Sequence, residues 1–156
     1  MSSQVLSEQS SAVDAFVALL QAHAVTTRRL SGLLVDDHGL TINDYEVLLR
    51  LARAPERRMR RVDLAARVFL TPSGITRLLD GLERCGYVSR LACPSDRRVM
   101  WAVLTDEGLA KVEEASRSHF AQIEEIFGAR LEAGQLETLT ELLSRVGPGE
   151  AAEQSA

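Results

Sequence analysis

Apolar residues recur at helical spacing in six stretches of the chain and alternate in strand-like fashion in one. The most regular stretch starts at Thr71. Ile75, Leu78, Leu79 and Leu82 fall at i, i+3, i+4 and i+7, a single apolar stripe. At 3.6 residues per turn, Ser73, Arg77, Asp80 and Arg84 lie opposite, with Thr76 beside them. Thr71 is a good N-cap, Pro72 suits the first helical position, and Gly86 suits the stop. The period then changes. Tyr87 to Ala92 and Val99 to Leu104 are rich in β-forming residues and flank the turn Pro94-Ser95-Asp96-Arg97-Arg98, which predicts a hairpin.

The flanking pattern is helical. Val13, Phe16, Val17, Leu20, Ala24, Leu30, Leu33 and Leu34 predict a long helix over about 12–35, apolar over a wide arc and broken by Asp36-Asp37-His38-Gly39. Thr41 with Asp44 predicts a capped helix that runs to about Arg53, before Pro55. Glu56 to Arg61 reads as a basic connector with a short strand around Met59. Val62 to Phe69 reads as a short helix with Val62, Leu64, Ala65 and Val68 inward. Two short helices joined by a tight turn, the second with a polar face, make a helix-turn-helix. Beyond the hairpin, Thr105 caps a helix expected to reach about Ala129. A last helix, over about 134–146, stops at Gly147-Pro148-Gly149.

Charge distribution sharpens this reading. The net charge of the 156 residues is −4, which taken alone argues mildly against nucleic acid. Residues 50–98, however, hold 12 arginines against 5 acids, a local +7, and the remainder carries −11. A basic centre between acidic flanks suits a nucleic-acid-binding module on an acidic scaffold, and here the basic segment coincides with the helix and hairpin. The sequence has no 18-residue apolar run, and residues 1–11 lack the basic and apolar regions of a signal peptide, so no membrane partner is expected. Two cysteines make no disulfide framework. His23, His38 and His119 have no metal-ligand spacing, and no phosphate loop, nucleophile elbow or dinucleotide fingerprint is present, so neither an enzyme nor a cofactor is expected.

The candidate contacts follow from chemistry. An arginine at a hairpin tip suits a narrow, electronegative minor groove or a phosphate, which singles out Arg97 and Arg98, with Asp96 placed to orient one of them. The first turns of the second helix are what would meet a major groove: Thr71, Pro72, Ser73, Gly74, Thr76 and Arg77. Arg57, Arg58, Arg60 and Arg61 are placed to touch phosphates. Asp80 and Arg84 suit an i, i+4 pair. Cys85 reads as a small buried hydrophobe closing the apolar stripe, and Trp101 as wing packing beside Val99 and Val103.

Asp63-Leu64-Ala65-Ala66, Thr71 to Glu83, Gly86-Tyr87-Val88, Pro94 to Arg98 and Leu104-Thr105-Asp106-Glu107-Gly108 occur in that order. This series resembles the MarR family of bacterial transcriptional regulators, specifically over about 41–108 and architecturally in the terminal helices. The resemblance implies a mainly α (α+β) fold, a winged helix-turn-helix with long N- and C-terminal dimerisation helices. The boundaries expected are a flexible 1–11, a dimerisation helix 12–35, a DNA-binding domain 41–104, dimerisation helices 105–147 and a flexible tail 148–156. It also implies a homodimeric repressor or activator, often with a small phenolic or lipophilic effector; the expectation is a cytoplasmic homodimeric repressor on a palindromic double-stranded operator, released by a small aromatic or lipophilic effector. By the same resemblance Arg98 is the minor-groove arginine, Asp96 its orienting partner, and Arg97 occupies a variable position. Two other classes stay open: a winged-helix protein-interaction module without DNA binding, and a thiol-based redox-sensing regulator through Cys85 or Cys93.

Overall fold

A computed structural model of the chain describes residues 11–96 and 98–147. The terminal tails and Arg97 lie outside these described residues. The elements are helix α1 (Ser11–His38), helix α2 (Ile42–Arg53), strand β1 (Arg58–Arg60), helix α3 (Arg61–Arg67), helix α4 (Pro72–Arg84), strands β2 (Val88–Ala92) and β3 (Met100–Leu104), helix α5 (Asp106–Phe127) and helix α6 (Ala133–Val146). The strands form one antiparallel sheet in the order β1-β3-β2. Two units are described separately, residues 1–119 and 120–156.

In the first unit, the core is built from the apolar stripes of the short helices. Leu48 and Leu51 of α2, Leu64 of α3, and Ile75 and Leu79 of α4 are all fully buried, together with Ala102 of β3 and Ala115 of α5. Thr41 starts α2 with a capping box: its Oγ1 accepts from the Asp44 amide at 3.1 Å, and Asp44 Oδ2 accepts from the Thr41 amide at 2.9 Å. Two polar contacts bind α5 to the N-terminal helices. His38 Nε2 lies 2.6 Å from Ser118 Oγ, and Tyr45 Oη lies 3.0 Å from Ser116 Oγ. The Ser118 hydroxyl donates to the Ala115 carbonyl, so it accepts its bond from His38.

Several boundaries differ from expectation. The acidic pair Asp36-Asp37 does not stop α1, which continues to His38. The stop is Gly39, whose φ of +68° is open to glycine, and the Leu40 amide returns to the Leu34 carbonyl at 3.3 Å. Helix α3 ends at Arg67, not Phe69. Val62 is 64% exposed, because it lies about 200° around the helix from buried Leu64. Cys85 is exposed: it follows the last residue of α4 as its cap and lies past the stripe, which ends at Leu82. Helix α5 ends at Phe127 rather than near Ala129. Helix α6, in the second unit, begins with a Glu132–Gln135 capping box.

His119 is nearly fully buried against the Tyr45 ring, with centroids 4.7 Å apart, and its Nδ1 has no hydrogen-bond partner among the described residues. Burial holds its pKa below the ordinary 6.5, because a charged imidazolium there would be desolvated. The unfolded chain therefore binds a proton, as pH falls below about 6.5, that the folded chain resists. Folding stability from this group is expected to be complete above that pH and to be lost as pH falls through the folded value. Denaturation of the wild type and of His119→Gln at about pH 7.5 and about pH 5.5 checks this. An equal acid-induced loss in both proteins contradicts it.

Candidate nucleic-acid interface

Helices α3 and α4 form the helix-turn-helix. The turn between them passes through Phe69, whose φ is +54° and whose side chain is 88% exposed, while the Leu70 amide bonds the Ala65 carbonyl at 3.0 Å. Thr71 then caps α4, its Oγ1 accepting from the Gly74 amide at 3.1 Å, and Pro72 occupies the first turn. A Cβ added at Gly74 would lie 3.1 Å from Thr71 Oγ1, so the glycine keeps this cap uncrowded.

The expected contact residues of α4 do not all face outward equally. Thr71, Pro72, Ser73 and Arg77 are exposed, and Gly74 is half-buried. Thr76 is half-buried and its hydroxyl is already committed, donating to the Pro72 carbonyl at 2.8 Å and accepting from Arg61 Nη1 at 3.5 Å. Arg61, at the start of α3, thus braces one helix of the motif on the other.

Strands β2 and β3 form the hairpin. Its base is joined to α4 and α5 through Tyr87: the Tyr87 amide bonds the Leu82 carbonyl at 3.0 Å, and the Thr105 amide bonds the Tyr87 carbonyl at 3.1 Å. At the tip, Asp96 meets Arg98 mainly through the backbone, with the Arg98 head group at the outer limit of an ion pair. Its Oδ1 accepts from the Arg98 backbone amide at 3.0 Å and lies 4.0 Å from Arg98 Nε. The Asp-x-Arg sequence shapes the turn and leaves the Arg98 side chain 96% exposed. Arg97, also named from the sequence, lies outside the described residues. A small cleft of about 100 Å³ between the hairpin and the start of α3 is lined by Arg60, Arg61, Val62, Arg98, Val99 and Met100. Three arginines spread over 38 positions thereby share one concave surface.

The connector arginines divide by partner. Arg57 Nη1 pairs with Asp106 at 2.9 Å, and Arg58 pairs with Glu56. Strand β1 pairs with β3 in a register that sets Arg60 opposite Trp101, and the guanidinium carbons of Arg58 and Arg60 lie 5.1 and 5.6 Å from the Trp101 ring centre. Trp101 therefore packs in the wing as read from the sequence, and it also seats two arginines.

Asp80 does not pair with Arg84. It pairs with Arg90 of β2, which also binds Glu83 Oε2 through Nε at 2.9 Å and through Nη2 at 2.6 Å. These two carboxylates raise the Arg90 pKa, Glu83 more than Asp80. The sequence motifs do not single out Arg90. A signal existed: in strand alternation it shares a face with buried Val88, and an arginine on an inward face needs partners. At Cys93 the Ser95 hydroxyl, 3.1 Å from the sulfur, and the backbone amides of Ser95 and Asp96 hold the thiol below its ordinary value. Among the described residues no group of His, Cys, Asp or Glu side chains could hold a metal ion, and no helix is long and apolar enough to cross a membrane.

The sequence profile of the MarR family matches residues 38–99, from the end of α1 into the hairpin. The HTH-type transcriptional repressor YetL of Bacillus subtilis is 39% identical over 85 residues, which cover 54% of this chain and about half (51%) of that repressor. The HTH-type transcriptional regulator MhqR of the same organism is 30% identical over 113 residues, 72% of this chain and 76% of the relative. Among solved structures, Sco3205, a MarR family transcriptional regulator from Streptomyces coelicolor in complex with DNA, superposes with a TM-score of 0.79 at 30% identity, over 85% of this chain and 82% of its own. CouR from Rhodococcus jostii RHA1, bound to p-coumaroyl-CoA, gives 0.72 at 28% identity, over 90% and 97% of the two chains. The likeness runs beyond the helix-turn-helix into the flanking helices, its bearers are regulators rather than enzymes, and the chain belongs to the MarR family of transcriptional regulators.

Proposed function

We propose that this protein is a cytoplasmic, homodimeric repressor that binds an inverted-repeat operator and is released by a small aromatic or lipophilic effector. The observation that carries the reading is the placement, on one module, of an exposed helix start (Ser73, Arg77) and a hairpin-tip arginine 96% exposed. One element suits base edges in a major groove, the other an adjacent minor groove or phosphate. Dimerisation is supported by apolar surface that the single chain leaves uncovered. Phe16 is 58% exposed and Leu20 51% on α1, and Leu142 is 50% exposed and Val146 81% on α6. A second copy would remove this surface from water. With two-fold symmetry, the half-sites are expected roughly one helical turn, about 34 Å, apart. The repressor role and the effector are supported by the named relatives, YetL and the ligand-bound CouR.

The test is a titration of the DNA upstream of the protein's own coding sequence against a range of salt concentrations. Several arginine–phosphate contacts per dimer predict a steep fall of log K with log[salt], about 0.9 per phosphate neutralised. A flat plot, or equal affinity for scrambled DNA, overturns the reading and favours a protein-interaction module. Aromatic acids added at fixed salt are expected to weaken binding, and unchanged affinity across such a panel removes the effector from the proposal.

A further inference from the structure

We propose that Arg90 is the positioning residue that sets the angle between the recognition helix and the wing. This rests on the DNA-binding reading above. The hairpin is attached to the rest of the module at its base, through the backbone bonds of Tyr87 to Leu82 and Thr105, with the Thr105 hydroxyl donating to the Gly86 carbonyl at 2.6 Å, and along one side by β1, which pairs with β3 as far out as Trp101. Strand β1 holds β3 and leaves β2 as the outer strand of the sheet, on the side of α4. Arg90 lies three residues further out along β2, about 10 Å at the rise of a strand. There it spans to Asp80 and Glu83, which lie three residues apart on α4 and so project from one side of the helix. Arg90 thereby ties the outer strand of the wing directly to the recognition helix, beyond the base they share.

The choice of residue matters. A guanidinium is planar and delocalised, so Nε and Nη2 bind the Glu83 carboxylate while Nη2 also reaches Asp80. A lysine at position 90 would carry the charge without the fork. The arrangement has a second consequence. Asp80 and Glu83 are 41% and 42% exposed, on a helix meant to lie against phosphates. Arg90 compensates one of these two negative charges and holds both carboxylates back against the hairpin. Its own head group is thereby occupied and is not offered to DNA. As a partly exposed pair, the contact adds little to folding stability, so its effects on geometry and on stability separate experimentally.

The experiment measures wild type, Arg90→Gln and Arg90→Lys by three readouts: affinity for the upstream DNA and for a scrambled duplex, the slope of log K against log[salt], and the thermal midpoint. Arg90→Gln is expected to lose about tenfold in operator affinity, the scale of one well-made base contact, and to lose preference over scrambled DNA. Its salt slope and midpoint are expected to stay within error of wild type. Arg90→Lys is expected to fall between the two. A wild-type operator affinity in Arg90→Gln overturns the proposal while leaving the DNA-binding reading intact. A slope reduced by about one unit per site also overturns it, since Arg90 would then be a phosphate contact. A midpoint that falls in parallel with affinity reduces Arg90 to a stability residue, with the same result. If wild type itself shows no operator preference, it is the underlying reading that fails.

Discussion

Replacing Arg98 with alanine is expected to weaken operator binding by about 1–3 kcal/mol per half-site, the value of a well-placed groove contact. In the proposed homodimer the loss occurs twice, which makes it the largest functional effect expected of any single surface change here. The side chain is 96% exposed, with its Nε 4.0 Å from Asp96, and its backbone is held through the amide bonded to Asp96 at 3.0 Å. Alanine keeps that amide, so the turn is expected to survive and the thermal midpoint to stay within error of wild type. The measurement is a DNA titration at fixed salt beside a melting curve. Unchanged affinity would remove the wing from the mechanism. Loss of affinity together with stability would mean that the turn, rather than the guanidinium, had been altered. Asp96→Ala separates the two cases from the other side, because it removes the acceptor for the Arg98 amide and loosens the tip while leaving both arginines in place.

The second large effect is on folding. Gly108 in the first turn of α5 is buried, and a Cβ built there would lie 2.1 Å from the Tyr87 carbonyl oxygen and 2.8 Å from Leu104 Cδ1. The first of these is backbone, so the clash is not relieved by turning a side chain. Gly108→Ala is expected to cost about 1–3 kcal/mol or somewhat more by overpacking. In a chain of this size that is roughly 2–4 °C in melting midpoint for each kcal/mol. The same Tyr87 carbonyl accepts from the Thr105 amide at 3.1 Å, so the displaced atom belongs to the joint that sets the base of the hairpin. DNA affinity is expected to fall with stability, in contrast to Arg98→Ala, where only affinity falls. Equal stability of Gly108→Ala and wild type, by chemical denaturation, would show that α5 can move away from Tyr87 without loss.

The motif that begins at Leu104 therefore has a physical reading in this protein. Thr105 Oγ1 donates to the Gly86 carbonyl at 2.6 Å and accepts from the Gly108 amide at 3.0 Å, and the glycine lets the helix start press against the strand end. One hydroxyl caps α5 and ties it to the end of α4. Of the two cysteines only Cys85 departs from the sequence reading, which has it buried. Cys85 is exposed and Cys93 lies beside the hairpin tip, with its proton held less firmly than usual by Ser95.

The amino-acid sequence by itself determined most of the local structure, and for a local reason. The apolar stripe of Ile75, Leu79 and Leu82, the caps at Thr41 and Thr71, and the switch to strand-forming residues after Gly86 are all decided within a few residues of one another. Each of those elements is present. Where the structure departs from the sequence pattern, a local signal is outweighed by helix geometry. Asp36-Asp37 is polar but compatible with a helix, and Val62 is apolar but its angle around α3 is opposite to that of Leu64. What only the tertiary structure decided is pairing between segments distant in the chain. Sequence spacing alone favours Arg84 as the partner of Asp80, because four residues on is about one turn along the same helix face. The fold instead supplies Arg90 from β2, inward on its strand and directed at two carboxylates of α4. The meeting of Arg60, Arg61 and Arg98 at one cleft, and the seating of Arg58 and Arg60 on Trp101, likewise depend on β1 adding to β3. Strand pairing links residues some forty positions apart, and no period or cap along the chain encodes such a partner.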